Sequence, residues 1–239
     1  MILSAELSPF CNRKRKKMKG ETTNQLSCLV SILKFGDDTL GLHGRDVFLA
    51  RVISRVASAP LINLYVGLIF SWFSPIGLGS ILTPLTNMMI CVSLMVILPI
   101  TPILYEAWHG NIDLDVSVRE SRTKFFMFSV ICYLVAYIVY SYFGCLIMSA
   151  LASAYFTVTT GIMIASFKTK VSVHGAGVGG PGTALFFVYG WAAFPVILLW
   201  ILVIISRVVL RQHTLKQSIT GVLLGVIITT ITYPFVYTI

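Results

Sequence analysis

Charged residues are scarce in this chain and absent from most of its length. They make up 11% of its 239 residues, against 56% for hydrophobic residues, whereas about 25% of a soluble domain is charged. Residues 56–105 and 125–167 contain no charged side chain at all. A transmembrane helix needs about 20 apolar residues, so each stretch is long enough for two. The scarcity of charge excludes an ordinary soluble domain and predicts an integral membrane protein.

Three kinds of motif are also missing. The first 50 residues lack a compact apolar segment beside a small-residue cleavage site, so we expect no cleavable secretory signal. The five cysteines form no CxxC pair, and Cys91, Cys132 and Cys145 lie in apolar runs, which predicts buried free thiols. No HExxH or similarly spaced ligand set occurs. We therefore expect neither a disulfide framework nor a protein-held catalytic metal.

Acidic residues are missing after Glu120, while basic residues continue to Lys216. The 18 Lys and Arg residues fall in four clusters, within 13–55, 119–124, 168–170 and 207–216. A basic N-terminus could indicate nucleic-acid binding. The positive-inside rule and attraction to anionic lipid explain it better in a membrane protein. We therefore expect the bilayer, and no nucleic acid, as a partner.

Proline and glycine divide the long apolar stretches. Pro75, Gly77, Gly79 and Pro84 interrupt the first stretch, and Gly144 interrupts the second. The pattern predicts an all-α integral membrane bundle with about six to seven spans, in which residues 1–56 are a basic cytosolic region and 57–239 are membrane-embedded. Counting spans places all four basic clusters on one face, the cytoplasmic one. The expected spans lie near 57–79, 84–106, 125–143, 146–167, 176–189, 195–207 and 217–237.

Arg207 and His213 form the first candidate pair for phosphate chemistry. In one continuous helix, six residues place two side chains about 240° apart, so this pair converges only if the helix ends between them. Thr214 and Gln217 have the spacing of a capping box, which predicts a new helix beginning there. His213 would then precede a helix N-terminus, where free N–H groups favour an anion.

Two further polar groups fall on the same predicted face. Lys170, Ser172 and His174 precede the glycine-rich segment 175–182, which suits either close approach to an oxyanion or tight helix packing. Arg119 and Arg122 share a face if they are helical, and two guanidinium groups suit bidentate phosphate binding. A solvated loop beside the membrane would also explain this arginine pair.

These motifs resemble the type 2 phosphatidic acid phosphatase superfamily, which includes the vanadium haloperoxidases. Ser206-Arg207, five residues and His213 are similar to its third signature, which runs Ser-Arg, five residues, His, three residues, Asp. Ser172-x-His174 resembles the second signature, and the likeness covers roughly residues 45–235. It implies catalysis without a metal or other cofactor, with His213 as nucleophile and His174 as the proton donor to the leaving group. Gln217 stands where the family has an aspartate, and it could still orient His213. The phosphoryl oxygens would be held by Arg119, Arg122, Lys170, Ser172 and Arg207.

The sequence therefore predicts a multi-pass membrane phosphatase that hydrolyses a lipid phosphate or diphosphate at the cytoplasmic face of the cell membrane. A lipid phosphotransferase that uses the same histidine is a second possibility. A transporter or lipid-binding protein is a third, although charged residues are absent from the predicted span centres, where ion relays usually lie. The identity of the lipid and the oligomeric state stay open.

Overall fold

The computed structural model describes residues 35–38, 40–118 and 121–237. Within these ranges the chain is all-helical and has no strand, as predicted. The helices are α1 (Arg45–Val56), α2 (Ala59–Phe73), α3 (Pro84–Cys91), α4 (Leu98–Trp108), α5 (Arg122–Tyr142), α6 (Leu146–Ser166), α7 (Val173–Tyr189), α8 (Pro195–Val209) and α9 (Leu215–Val236).

The predicted breaks lie where the sequence placed them. Gly77, Gly79 and Gly144 each have a positive φ, which side chains disfavour. Thr83 and Thr86 form a capping box that starts α3. Pro195 is the first residue of α8, where its missing N–H has no helical partner to lose. The turn chemistry therefore sets the boundaries of the bundle.

Several local features depart from the sequence-based expectation. Helix α1 was not expected, and α2 ends at Phe73 rather than near residue 79, shortly before Pro75. A π-helical segment, Val92–Ile97, joins α3 and α4 into one continuous helix. Helix α7 begins at Val173, three residues early, because the Ser172 side chain accepts a hydrogen bond from the Gly175 N–H.

Four of the described helical segments are long and apolar enough to cross a membrane. These are Pro84–Trp108, α5, α6 and α9, and the pair α1 and α2, bent by 56°, would make a fifth. The expected count of six to seven is not confirmed by this criterion, since α7 has 17 residues and α8 has 15. Cys91, Cys132 and Cys145 are buried free thiols, as predicted.

Helices α7 and α9 pack backbone against backbone. A Cβ atom on Gly179 would lie 2.4 Å from the Val222 carbonyl oxygen, and one on Gly221 would lie 2.4 Å from the Ser172 carbonyl oxygen. The Ser172 N–H also donates to the Gln217 carbonyl oxygen at 3.3 Å. The glycines therefore bring the N-termini of the two helices side by side, which is the packing role that the sequence had left open.

Candidate active site

Three loops meet at one end of the bundle: the segment between α4 and α5, the α6–α7 loop and the α8–α9 loop. Ser117 in the first loop donates a hydrogen bond to the Gln212 amide oxygen in the third, at 3.2 Å. Arg122 Nε donates to the Val116 carbonyl oxygen at 2.7 Å, and its guanidinium also reaches the Val171 carbonyl oxygen in the second loop, at 3.4 Å. Arg122 therefore ties two of these loops together.

The helix ends between Arg207 and His213, as predicted. Helix α8 stops at Val209, and the N–H groups of Gln212 and His213 both donate to the Arg207 carbonyl oxygen, at 3.1 and 3.3 Å. Arg211 adopts a positive φ in this turn. The turn folds the chain back, so that His213 lies beside Arg207 instead of on the far side of a helix.

The predicted capping box also forms at the start of α9. The Thr214 hydroxyl accepts from the Gln217 N–H, and the Gln217 amide oxygen accepts from the Thr214 N–H, at 3.3 and 3.1 Å. The Gln217 oxygen therefore caps the helix. Within the described part of the chain no hydrogen bond joins the Gln217 side chain to the imidazole of His213, so the capping role is the one that the structure shows for its amide oxygen.

Asp115 is a member of the site that sequence reasoning missed. Its Oδ2 accepts from both terminal nitrogens of Arg207, at 3.3 and 3.4 Å, and its Oδ1 lies 3.9 Å from His174 Nε2. Arg207 also donates to the Ser54 hydroxyl at 2.8 Å. Asp115 thus stands between the arginine and one of the two histidines. Its acidic position directly before the 119–124 cluster was the available sequence signal.

The positive charges of the site act on both histidines. Burial, and then Arg207, Arg122, Lys170 and His174, lower the pKa of His213 to about 3. Burial, and then the two arginines, lower the pKa of His174 well below its ordinary value; its helix α7 is not among the candidate spans. Both imidazoles are therefore neutral at pH 7 in the unliganded protein.

The pKa of Lys170 is lowered as well. Burial is the largest cause, followed by the charges of Arg122 and Arg207, which Asp113 partly offsets. Three cations and two histidines are thus close enough to interact electrostatically. They come from α5, from α8 and from three loops or helix starts. The structure thus brings together five of the candidate residues from the sequence: Arg122, Lys170, His174, Arg207 and His213. The two other described candidates are Ser172 and Gln217.

Two polar atoms in this cluster have no hydrogen-bond partner among the described residues: Arg207 Nε and His213 Nδ1. Arg207 is 2% exposed and His213 is 6% exposed. In proteins, the large majority of buried donors and acceptors have a hydrogen-bond partner. The cluster therefore keeps a guanidinium donor and an imidazole nitrogen uncommitted, close to a surplus of positive charge.

The hydroxyl of Ser172 has a structural task. It is fully buried and accepts the hydrogen bond that caps α7. It thereby fixes the position of His174, two residues further along. Arg119, the remaining candidate, lies outside the described residues, and within the described ranges no group of three or more His, Cys, Asp or Glu side chains could hold a metal ion.

A cavity of about 390 Å³ opens beside the charged cluster. Its charged and polar lining includes Asp115, Arg122, His174 and Ser54, as well as Asp37, Arg51 and Arg55, and mostly apolar side chains of α2, α4, α5, α6, α7 and the π-helical segment line the rest. A polar end on an otherwise apolar cavity matches an amphipathic ligand.

No protein-family model, curated protein or solved structure matches the chain. The fold and the site together define an all-helical protein with apolar helices suited to a membrane and a buried cationic cluster that contains two histidines.

Proposed function

We propose that this protein is a multi-pass membrane phosphatase that hydrolyses a lipid phosphate or diphosphate through a phosphohistidine, without a metal ion. The observation that carries the proposal is the meeting of buried Arg122, Arg207 and His213 with half-buried Lys170 and His174, beside a largely apolar cavity. Phosphoryl transfer depends mainly on positioning and on stabilising the charge of the phosphoryl oxygens. The unpaired imidazole nitrogen of His213 and guanidinium nitrogen of Arg207 can meet these two requirements, positioning and charge stabilisation.

His213 would be the nucleophile. Its lowered pKa keeps a lone pair available at neutral pH. A ring nitrogen of His213 forms a bond to phosphorus while the bond from phosphorus to the lipid oxygen breaks. Water then attacks the phosphohistidine, which releases inorganic phosphate and restores the free imidazole.

His174 would give a proton to the leaving lipid oxygen and take one back from the attacking water. Burial, and then the charges of Arg207 and Arg122, lower the pKa of His174. A bound phosphate offsets their charge, and Asp115 beside His174 favours the imidazolium further. Binding of the substrate would therefore raise the pKa of His174, so that the imidazole takes up the proton that it later donates to the leaving group.

The proposal includes six to seven spans and a site on the cytoplasmic face. Support comes from the charge distribution: the described basic clusters lie at the same end of the bundle, and the N-terminal run of 13–17 is wholly basic. A site at this level lets the apolar part of a lipid stay in the bilayer while the phosphate meets water.

The test is phosphate release from lipid phosphates by the purified protein. We expect His213→Ala to lower the rate by at least about a thousandfold, the scale seen when a catalytic nucleophile is removed. His109→Ala is the matched control, because His109 is exposed and bonds only to the Tyr105 carbonyl oxygen in its own helix; it should keep the activity. Equal release by wild type and His213→Ala would refute the mechanism.

Vanadate and an added alcohol separate the alternatives. Vanadate mimics the transferring phosphoryl group and should inhibit the enzyme, whereas a transporter or lipid carrier would not bind it at this site. Transfer of the phosphoryl group to the alcohol in place of water would identify a phosphotransferase.

A further inference from the structure

The cavity beside the cationic cluster has the size of one hydrocarbon chain. An engineered cavity of about 150 Å³ holds one benzene ring of six carbons. By that ratio the cavity of about 390 Å³ holds roughly fifteen carbon atoms.

The depth of the cavity gives the same answer. Arg122 lines its polar end and Tyr133 its far end, on the same helix α5. Eleven residues of α-helix span about 16 Å, which is about half of the ~30 Å hydrocarbon core of a bilayer. This is the length available to a single lipid chain within one leaflet.

A hydrogen-bonded group of buried side chains lies at the far end. The Asn63 amide donates to the Met95 carbonyl oxygen at 2.7 Å and to the Tyr133 hydroxyl at 3.2 Å. The rings of Tyr133 and Tyr155 lie 5.3 Å apart. Packing and hydrogen bonds together hold these side chains, the floor of the cavity, in place.

Charged and polar side chains of α1, the α4–α5 loop, α5 and α7 line the polar end of the cavity. The side chains of Asp115 and His174 are 6% and 15% exposed there, and Arg122 is also buried. Under the proposed function His174 protonates the leaving oxygen, which carries the hydrocarbon chain in a monophosphate and the chain-bearing phosphate in a diphosphate. Because His174 lines the cavity, a chain attached on that side of the phosphorus atom can enter it.

We propose that the substrate is a single-chain lipid phosphate or diphosphate, and that the cavity measures its chain at about fifteen carbons. This inference rests on the proposed function and narrows its substrate class. A phosphatidate with two long chains carries about twice as many chain carbons as a cavity of this volume holds.

The experiment measures phosphate release from octyl, dodecyl, hexadecyl and eicosyl phosphate and from dipalmitoyl phosphatidate, in the same mixed micelles. We expect kcat/KM to rise up to hexadecyl phosphate. It should then fall by at least about tenfold for eicosyl phosphate, the scale of discrimination for an oversized apolar group, and phosphatidate should be as poor. Equal rates for phosphatidate and hexadecyl phosphate, or rates independent of chain length, would overturn the inference.

Two variants and one control assign the effect to the cavity. Ser129→Phe fills the cavity from α5 and should move the optimum to shorter chains, whereas Met95→Ala removes part of the floor and should move it to longer ones. Ile131→Phe, two residues from Ser129 and exposed, should leave the optimum unchanged. Should Met95→Ala fail to fold, Ser129→Phe still decides, since an unchanged profile in it would overturn the inference.

Equilibrium binding of radiolabelled hexadecyl phosphate separates this inference from the proposed function. Binding with a chain-length preference that Ser129→Phe alters, but without hydrolysis, would support the single-chain cavity and refute the phosphatase. Hydrolysis without any length preference would support the phosphatase and refute the single-chain cavity.

Discussion

The ion pair between Asp115 and Arg207 gives the sharpest test of how the site is held together. Both side chains are almost fully buried, and the pair joins the α4–α5 loop to the end of α8. Removal of one partner of a buried pair leaves a buried charge without compensation, which typically costs about 3–5 kcal/mol. The two hydrogen bonds here measure 3.3 and 3.4 Å, longer than the strongest charged hydrogen bonds. We therefore expect Asp115→Asn to cost about 3 kcal/mol of unfolding free energy, at the lower end of that range.

For a chain of this size, 3 kcal/mol corresponds to a fall in the melting temperature of roughly 6–12 °C. The assay is thermal and denaturant unfolding of the purified protein, followed by tryptophan fluorescence. Asp38→Asn is the matched control, because its ion pair with Arg55 is largely exposed and should contribute about 0–1 kcal/mol. In a double-mutant cycle with Arg207→Met, the combined loss should be smaller than the sum of the single losses.

The reasoning fails under either of two results. The first is that Asp115→Asn costs no more than Asp38→Asn. The second is that the losses from Asp115→Asn and Arg207→Met simply add, because additive effects would mean that the two side chains do not interact energetically.

Two further predictions concern helix packing and acid stability. Gly179→Ala should strongly destabilise the protein, because the new Cβ meets the Val222 backbone, whereas Gly161→Ala should cost little, because its Cβ meets only the end of a flexible side chain; equal melting temperatures for the two variants would contradict this. His213 has a folded pKa of about 3, below its ordinary value of 6.5, so the unfolded chain binds the proton first as pH falls. Its stabilising effect is complete above pH 6.5 and is lost as pH falls from there toward 3. Unfolding midpoints measured across this window should fall less steeply for His213→Gln than for wild type, and identical slopes would reject the assignment.

Local chemistry explains which parts of the fold could be predicted. Pro195, Gly144 and the Thr214–Gln217 box act within a few residues of themselves, so their helix boundaries follow from sequence. The end of α8 between Arg207 and His213 could be predicted for the same reason. The π-helical segment Val92–Ile97 has no proline or glycine to mark it, and its shifted hydrogen bonds depend on packing against other helices.

The partners of the site could be predicted only in part. Counting spans along the sequence predicts that Arg122, Lys170 and Arg207 lie at the same end of the bundle. The contact between Asp115 and Arg207, 92 residues apart, depends on the rotation and depth of each helix, which no local pattern specifies. The cavity was missed for the same reason, because it is lined by residues of seven helical segments whose relative positions no local pattern specifies.

The backbone contact between α7 and α9 has a consequence for how the substrate range that we propose could change. The two histidines are positioned by helix starts that touch through glycine, where almost any substitution would collide with main chain. The cavity is lined by ordinary side chains such as Ser129 and Met95, which can be exchanged one at a time. Under the proposed function, His174 and Arg122 belong both to the catalytic cluster and to the cavity wall, while most of the wall, including Ser129 and Met95, lies outside that cluster. Selection or design could then change the preferred lipid length through such residues while the helix starts that hold His174 and His213 stay as they are.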